Sequence, residues 1–193
     1  MSIAAIPNWN SSGVLPPINP ASPASADRSP YEIAITDLVL HFNTSAERQT
    51  ILAGFLDYRQ ALHGIGIERG FQWLNGSFLE NVESTENRPP RDIDVVTFFH
   101  LPSGQTQRSL VQQYRALFVP RETKNSYRVD AYFVQLDAGS PEPLVSQSTY
   151  WYSMWSHRRN GEWKGYLRVD LSPTNDRAAR ANLVSSPGHG GQP

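Results

Sequence analysis

The chain has 193 residues, a formal charge of -1 and no cysteine. That length suits one domain able to bury a core unaided, and the missing thiols exclude disulfide frameworks, thiolate zinc sites and cysteine nucleophiles. The near-neutral balance lacks the positive excess of a basic nucleic-acid binder, so no duplex-DNA binding is expected.

Met1 to Pro7 carries no basic stretch and its apolar run stops at Pro7, so it is a poor secretory signal. No segment approaches the roughly 18 apolar residues of a membrane span. The expectation is a soluble, cytoplasmic protein with no membrane partner. Residues 1–30, with Pro7, Pro16, Pro17, Pro20, Pro23 and Pro30, read as an extended Pro/Ser-rich arm that Val14 and Leu15 anchor. Residues 31–184 read as a single domain, and 185–193 as a flexible tail.

Within the domain, Ser29 to Phe42 is expected to be a short helix. Ser45 is an N-cap for a long helix in which Ile51, Leu52, Phe55, Leu56, Tyr58, Leu62 and Ile65 recur at helical spacing, closed by Gly64 and Gly66. Phe71 to Leu74 is a short strand stopped by Asn75-Gly76-Ser77. A polar loop runs to Arg91, and Ile93, Val95, Val96, Phe98 and Phe99 form a second strand. A helix from about Gln105 to Phe118 leads to a third strand over Tyr127 to Val134. After the Gly139-Ser140-Pro141 turn comes an aromatic stretch with Tyr150, Trp151, Tyr152 and Trp155. Asn160-Gly161 then signals a C-terminal β-hairpin joining Trp155–Arg159 to Trp163–Leu171. Thr174 to Leu183 reads as a last helix. The fold class expected is α+β (α/β), a small mixed sheet flanked by helices.

Three features carry chemistry. Gly76-Ser77 ends a strand, where backbone N–H groups can cradle phosphate oxygens, although a Gly-Ser turn is usually no more than a turn. Asp92 and Asp94 are two residues apart at the start of a strand, so both carboxylates project from one face; they repel each other unless a cation neutralises them. All-oxygen acidic pairs suit Mg²⁺ or Mn²⁺, the plainer alternative being a solvated strand start. Asp130 lies inside the third strand and needs a partner there, for which Arg128 on the same face is the simplest candidate. Arg121 and Lys124 stand just before that strand as candidate phosphate contacts. His157-Arg158-Arg159 with Lys164 is either a solvated turn or a contact for an RNA backbone. Trp151, Trp155 and Trp163 read as core residues, or as a platform for a nucleobase.

Taken in order, Leu74-Asn75-Gly76-Ser77-Phe78, then Pro90-Arg91-Asp92-Ile93-Asp94-Val95-Val96, then Val129-Asp130-Ala131-Tyr132 resembles the DNA polymerase β-type nucleotidyltransferase superfamily. Leu15-Pro16-Pro17, Arg48 and Trp163-Lys164-Gly165 resemble flanking features of small stand-alone bacterial members. The resemblance implies a minimal nucleotidyltransferase core in which Asp92, Asp94 and Asp130 are catalytic and hold Mg²⁺ or Mn²⁺. Gly76, Ser77, Arg91 and Lys124 would bind the phosphates of an NTP, and a protein or RNA hydroxyl would accept the nucleotidyl group. A toxin or phage-defence role, with a cognate neutralising protein, is a further implication. The chain departs from the superfamily pattern in its long Ser77–Asp92 loop, where Glu80, Glu83 and Glu86 stand near the expected triphosphate. Arg88 and Arg91 are the cations nearest in sequence. A catalytically inactive nucleotide- or partner-binding protein of the same fold is the alternative.

Overall fold

The computed structural model describes residues 5–185, the side chain of Ser185 excepted. The first four residues of the N-terminus read above, and the tail from 186 on, lie outside them. The chain runs β1 (Tyr31–Ile33), α1 (Ile35–Phe42), α2 (Ala46–Gly64), β2 (Gly70–Asn75), a 3-10 turn (Ser77–Leu79) and α3 (Val82–Thr85). It continues with β3 (Ile93–Phe99), α4 (Gln107–Gln113), α5 (Arg115–Phe118), α6 (Pro120–Tyr127), β4 (Val129–Gln135), α7 (Pro141–Trp155) and β5 (Leu167–Asp170). A 3-10 turn (Pro173–Asn175) and α8 (Asp176–Ser185) complete it. The five strands form one mixed sheet in the order β1-β5-β2-β3-β4, with β1–β5 and β3–β4 parallel and the others antiparallel. The fold is α+β.

The two faces of the sheet are unlike. On one, Gln72, Leu74, Val95, Thr97, Phe99, Ala131, Leu167 and Val169 are buried. Helix α2 lies on that face, its buried Arg59 reaching Gln72 Oε1 at 2.7 Å, the backbone oxygens of Asp170 and Ser172, and both carboxylate oxygens of Asp176. One guanidinium therefore ties α2, the sheet and the start of α8 together. The opposite face carries Trp73, Asp94, Asp130 and Tyr132, all half-buried. There Trp151 of α7 packs on Tyr132, ring centroids 4.8 Å apart.

Helix α2 starts where the sequence places it, with the Ser45 side chain accepting from the Arg48 N–H. Helix α1 is shorter than expected. Tyr31 and Ile33 are buried with Glu32 between them half-exposed, a period of two that makes this stretch an edge strand. Three helices are additional to those expected: α3, in the stretch read as a polar loop, α6 and α7. Pro120 opens α6 at its first turn, and Ser140 caps α7 immediately before Pro141, so the presumed turn is a helix start. The C-terminal hairpin contracts to a tight turn at Asn160-Gly161 with a single bridge, His157 to Trp163. Helix α7 takes up Trp155, so the pairing ends with the Lys164 N–H on the Ser156 carbonyl, and the Gly165 N–H donates to the Leu15 carbonyl of the arm at 2.7 Å. Val14 and Leu15 are buried, so the arm packs on the domain.

Gly54, in the middle of α2, marks the closest approach of that helix to α6. A Cβ there would stand 2.1 Å from the Tyr127 carbonyl oxygen. Gly54→Ala is therefore expected to lose about 1–3 kcal/mol by overpacking, although alanine is the better helix former. Gly64→Ala is the control, since a Cβ on Gly64 meets nothing within 4 Å. Urea unfolding of both variants checks this.

Candidate functional site

Strands β2, β3 and β4 lie side by side, and their register brings the acidic residues together. Asn75 at the end of β2 is opposite Asp94, and Asp94 is opposite Asp130 in the parallel pair. The Arg128 carbonyl accepts from the Ile93 N–H at 3.0 Å, fixing the start of β3 between Asp92 and Asp94. Beside Asp94 the chain turns at Gly76, with φ of +86°, a left-handed conformation that glycine adopts without strain. A Cβ on Gly76 would lie 2.7 Å from Asp94 Oδ2, so this glycine both makes the turn and leaves room for the carboxylate. Ser77 opens the 3-10 turn that follows.

The cation that joins the cluster is Lys124 of α6. Its Nζ lies 3.0 Å from Asp92 Oδ2 and 2.8 Å from Asp130 Oδ2. The partner of Asp130 is thus Lys124; Arg128, exposed and left-handed at φ 56°, is the cap of α6. Two of the three carboxylates share the Lys124 ammonium, and Asp94 is the one it does not contact. Burial first, and then the charges of Asp92 and Asp130, push the Asp94 carboxyl up to about 6. The Tyr132 hydroxyl is pushed up as well, by burial and by the neighbouring Asp130 and Asp94.

Among the described residues, no group of three or more His, Cys, Asp or Glu side chains stands in ready metal-ligating geometry. The donors nevertheless suit a divalent cation. They are all carboxylate oxygens, a lysine ammonium already fills the place of a cation between two of them, and Gly76 leaves the third unobstructed. Asn75 is buried behind Asp94, its amide donating to the Trp155 carbonyl at 3.1 Å, while among the described residues its Oδ1 has no hydrogen-bond partner.

The acids of the Ser77–Asp92 loop each have a cation of their own. Glu80, 7% exposed, accepts from Lys164 Nζ at 2.6 Å and from Arg158 Nε at 2.8 Å. Glu83 holds the Arg48 guanidinium through both oxygens, and Glu86 pairs with Arg88. Arg158 and Lys164 thereby act as internal counter-ions, which favours a structural role over contact with an RNA backbone. The buried Arg48 also donates to the carbonyls of Phe78 and Glu80, so it holds the backbone that follows the Gly76-Ser77 turn. The arm adds to this support: Trp9 Nε1 donates to the Leu79 carbonyl and the Asn81 N–H to the Gly13 carbonyl.

Of the residues expected at the site, Asp92, Asp94, Asp130, Gly76 and Lys124 come together, and Ser77 follows directly on Gly76. Arg91 stands exposed just before Asp92, and Arg121 is exposed on α6. Trp155 is buried, Trp151 packs on Tyr132, and Trp163, 62% exposed, is not a core residue. Tyr132, which stands within the third-strand motif, receives no role at the site from the sequence reading, although it lies two residues beyond Asp130 and so on the same face of the strand.

Residues 7–170 match the model of a protein family described as a family of unknown function, DUF6932. Neither the curated proteins nor the solved structures return a match.

Proposed function

The chain belongs to the DUF6932 family, a family of unknown function, and from its site we propose that it is a metal-dependent nucleotidyltransferase. It would move a nucleotidyl group from an NTP to a hydroxyl of a protein or an RNA. The observation that supports this reading best is the convergence of Asp92, Asp94 and Asp130 across two paired strands, beside the left-handed Gly76 turn.

Asp92, Asp94 and Asp130 would hold Mg²⁺ or Mn²⁺. When bound, the ion supplies charge neutralisation for the triphosphate and lowers the pKa of the attacking hydroxyl. The chain's own residues do the rest. The Gly76-Ser77 turn lets phosphate oxygens approach the backbone, and Lys124, with the exposed Arg91 nearby, carries positive charge to them. Asp130 accepts the proton as the acceptor oxygen bonds to the α-phosphorus, and pyrophosphate leaves with the electrons of the broken bond. Tyr132 and Trp151 offer an aromatic surface beside the acids on which a base can stack. A cytoplasmic location goes with this reading, since the substrate is an NTP.

The acidic loop would favour a catalytically silent binding protein if its charges faced the phosphates. Its three glutamates are each matched by an arginine or lysine of the same chain, which removes that objection. The test is incubation with each α-³²P-labelled NTP and Mg²⁺ or Mn²⁺, with total RNA and cell lysate as acceptors. Label is expected on one acceptor class with the wild type, and none with the Asp92→Ala, Asp94→Ala double variant. Nucleotide binding without transfer would overturn the enzymatic reading in favour of the binding one.

A further inference from the structure

The charge balance of the acidic cluster carries one step more, resting on the metal-binding reading above. The chain has two lysines, Lys124 and Lys164, against 15 arginines. Lys164 is buried and committed to Glu80. Lys124 is the lysine at the acids, and its position is built rather than incidental. Helix α6 is fixed at both ends: Pro120 starts it, Thr123 is fully buried with its hydroxyl on the Pro120 carbonyl, and Gly54 of α2 presses on Tyr127. The side chain itself is 44% exposed, with Nζ between Asp92 and Asp130. A well-packed helix thus presents a partly exposed ammonium at the point where two carboxylates meet.

We propose that Lys124 is a resident counter-ion that a divalent cation must displace to reach Asp92 and Asp130. A divalent cation and an ammonium on the same two carboxylates repel each other, so the ion gains most when Lys124 leaves. A lysine suits such an exchange where an arginine would not. Its point charge sits on a flexible four-carbon stem, it makes no bidentate fork, and it can turn outward into solvent or toward phosphate. The consequence is a site in which Asp92 and Asp130 keep a counter-ion while no metal is bound and resist free metal. Entry of the ion and release of Lys124 are one event.

Two measurements test this, neither of which reads activity. The first is calorimetric titration of Mn²⁺ into the wild type and into Lys124→Met, which keeps the stem and removes the charge. The variant is expected to bind at least ten times more tightly, because nothing has to leave. Its unfolding temperature in EDTA should fall below that of the wild type and recover with Mn²⁺, showing that the variant is folded. The second uses the wild type alone. Acetylation by N-hydroxysuccinimide acetate, located by mass spectrometry, should become at least threefold faster at Lys124 when Mg²⁺ is added and remain unchanged at Lys164. If both proteins bind Mn²⁺ equally, or the variant more weakly, the exchange is overturned and the metal site stands. Metal binding that leaves acetylation of Lys124 unaltered overturns it in the same way. If neither protein binds a divalent cation, the metal-binding reading fails and the exchange with it.

Discussion

Asp94→Asn is expected to make the protein more stable in EDTA and to abolish transfer. The Asp94 carboxyl rises from 3.8 to about 6 on folding, through burial and the neighbouring charges of Asp92 and Asp130. Between those values the native chain holds a proton that the unfolded chain has released. Wild-type stability therefore falls as pH rises through that window and stays low above it. An asparagine cannot ionise and escapes this loss. At pH 8 without metal the variant should gain about 3 kcal/mol, the gain shrinking toward zero near pH 4. Urea unfolding at the two pH values measures it. Nucleotidyl transfer should drop by roughly 10²–10³-fold or more, the scale of losing a charged group that stabilises the transition state. A less stable variant at pH 8 would show that Asp94 is satisfied in the empty protein, against the geometry described.

The largest loss of stability is expected from Arg48→Met. Arg48 is 1% exposed, and its guanidinium bonds both oxygens of Glu83 and the carbonyls of Phe78 and Glu80. It also lies 5.4–5.9 Å from the ring centroids of Trp9, Phe42 and Phe78. Methionine fills part of the volume but leaves two carbonyls and a carboxylate without their donors. The cost should be about 3–5 kcal/mol, as for a buried ion pair that loses one member. The effect should extend beyond stability, because the carbonyls that Arg48 holds belong to the segment following Gly76-Ser77. Transfer by the folded fraction should fall too. Arg88→Ala, which breaks the exposed pair with Glu86, should change stability by less than about 0.5 kcal/mol.

How much of this was legible in the sequence follows from which signals are local. Alternation and helical spacing are local, so α2, β2, β3 and β4 were readable, as was the shared face of Asp92 and Asp94. Gly76 declared its turn by composition. The partner of Asp130 was not readable from neighbouring positions. Arg128 is nearer in sequence and formally on the same face, but the left-handed cap of α6 points it out and brings Lys124 round instead. The loop acids misled for the same reason. Glu80 finds its cations at Arg158 and Lys164, far along the chain, and only the folded path of the segment after α7 brings them there. The expected hairpin contracted because α7 takes up Trp155 and leaves only a short segment before Asn160-Gly161 to pair. The Gly165 N–H on the Leu15 carbonyl brings Leu15-Pro16-Pro17 and Trp163-Lys164-Gly165, distant in sequence, together. A Cβ on Gly165 would meet the Pro16 carbonyl oxygen at 2.4 Å.

The central claim is that Asp92, Asp94 and Asp130, with the Gly76-Ser77 turn, form one site for a divalent cation and a triphosphate. Anomalous diffraction from crystals grown with Mn²⁺ and a non-hydrolysable NTP tests it most directly. The expected result is a manganese peak bounded by the three carboxylates, phosphates against Gly76 and Ser77, and Lys124 Nζ moved off Asp92 and Asp130. Nucleotide bound elsewhere, with Lys124 still between the two carboxylates and no peak beside them, would contradict it.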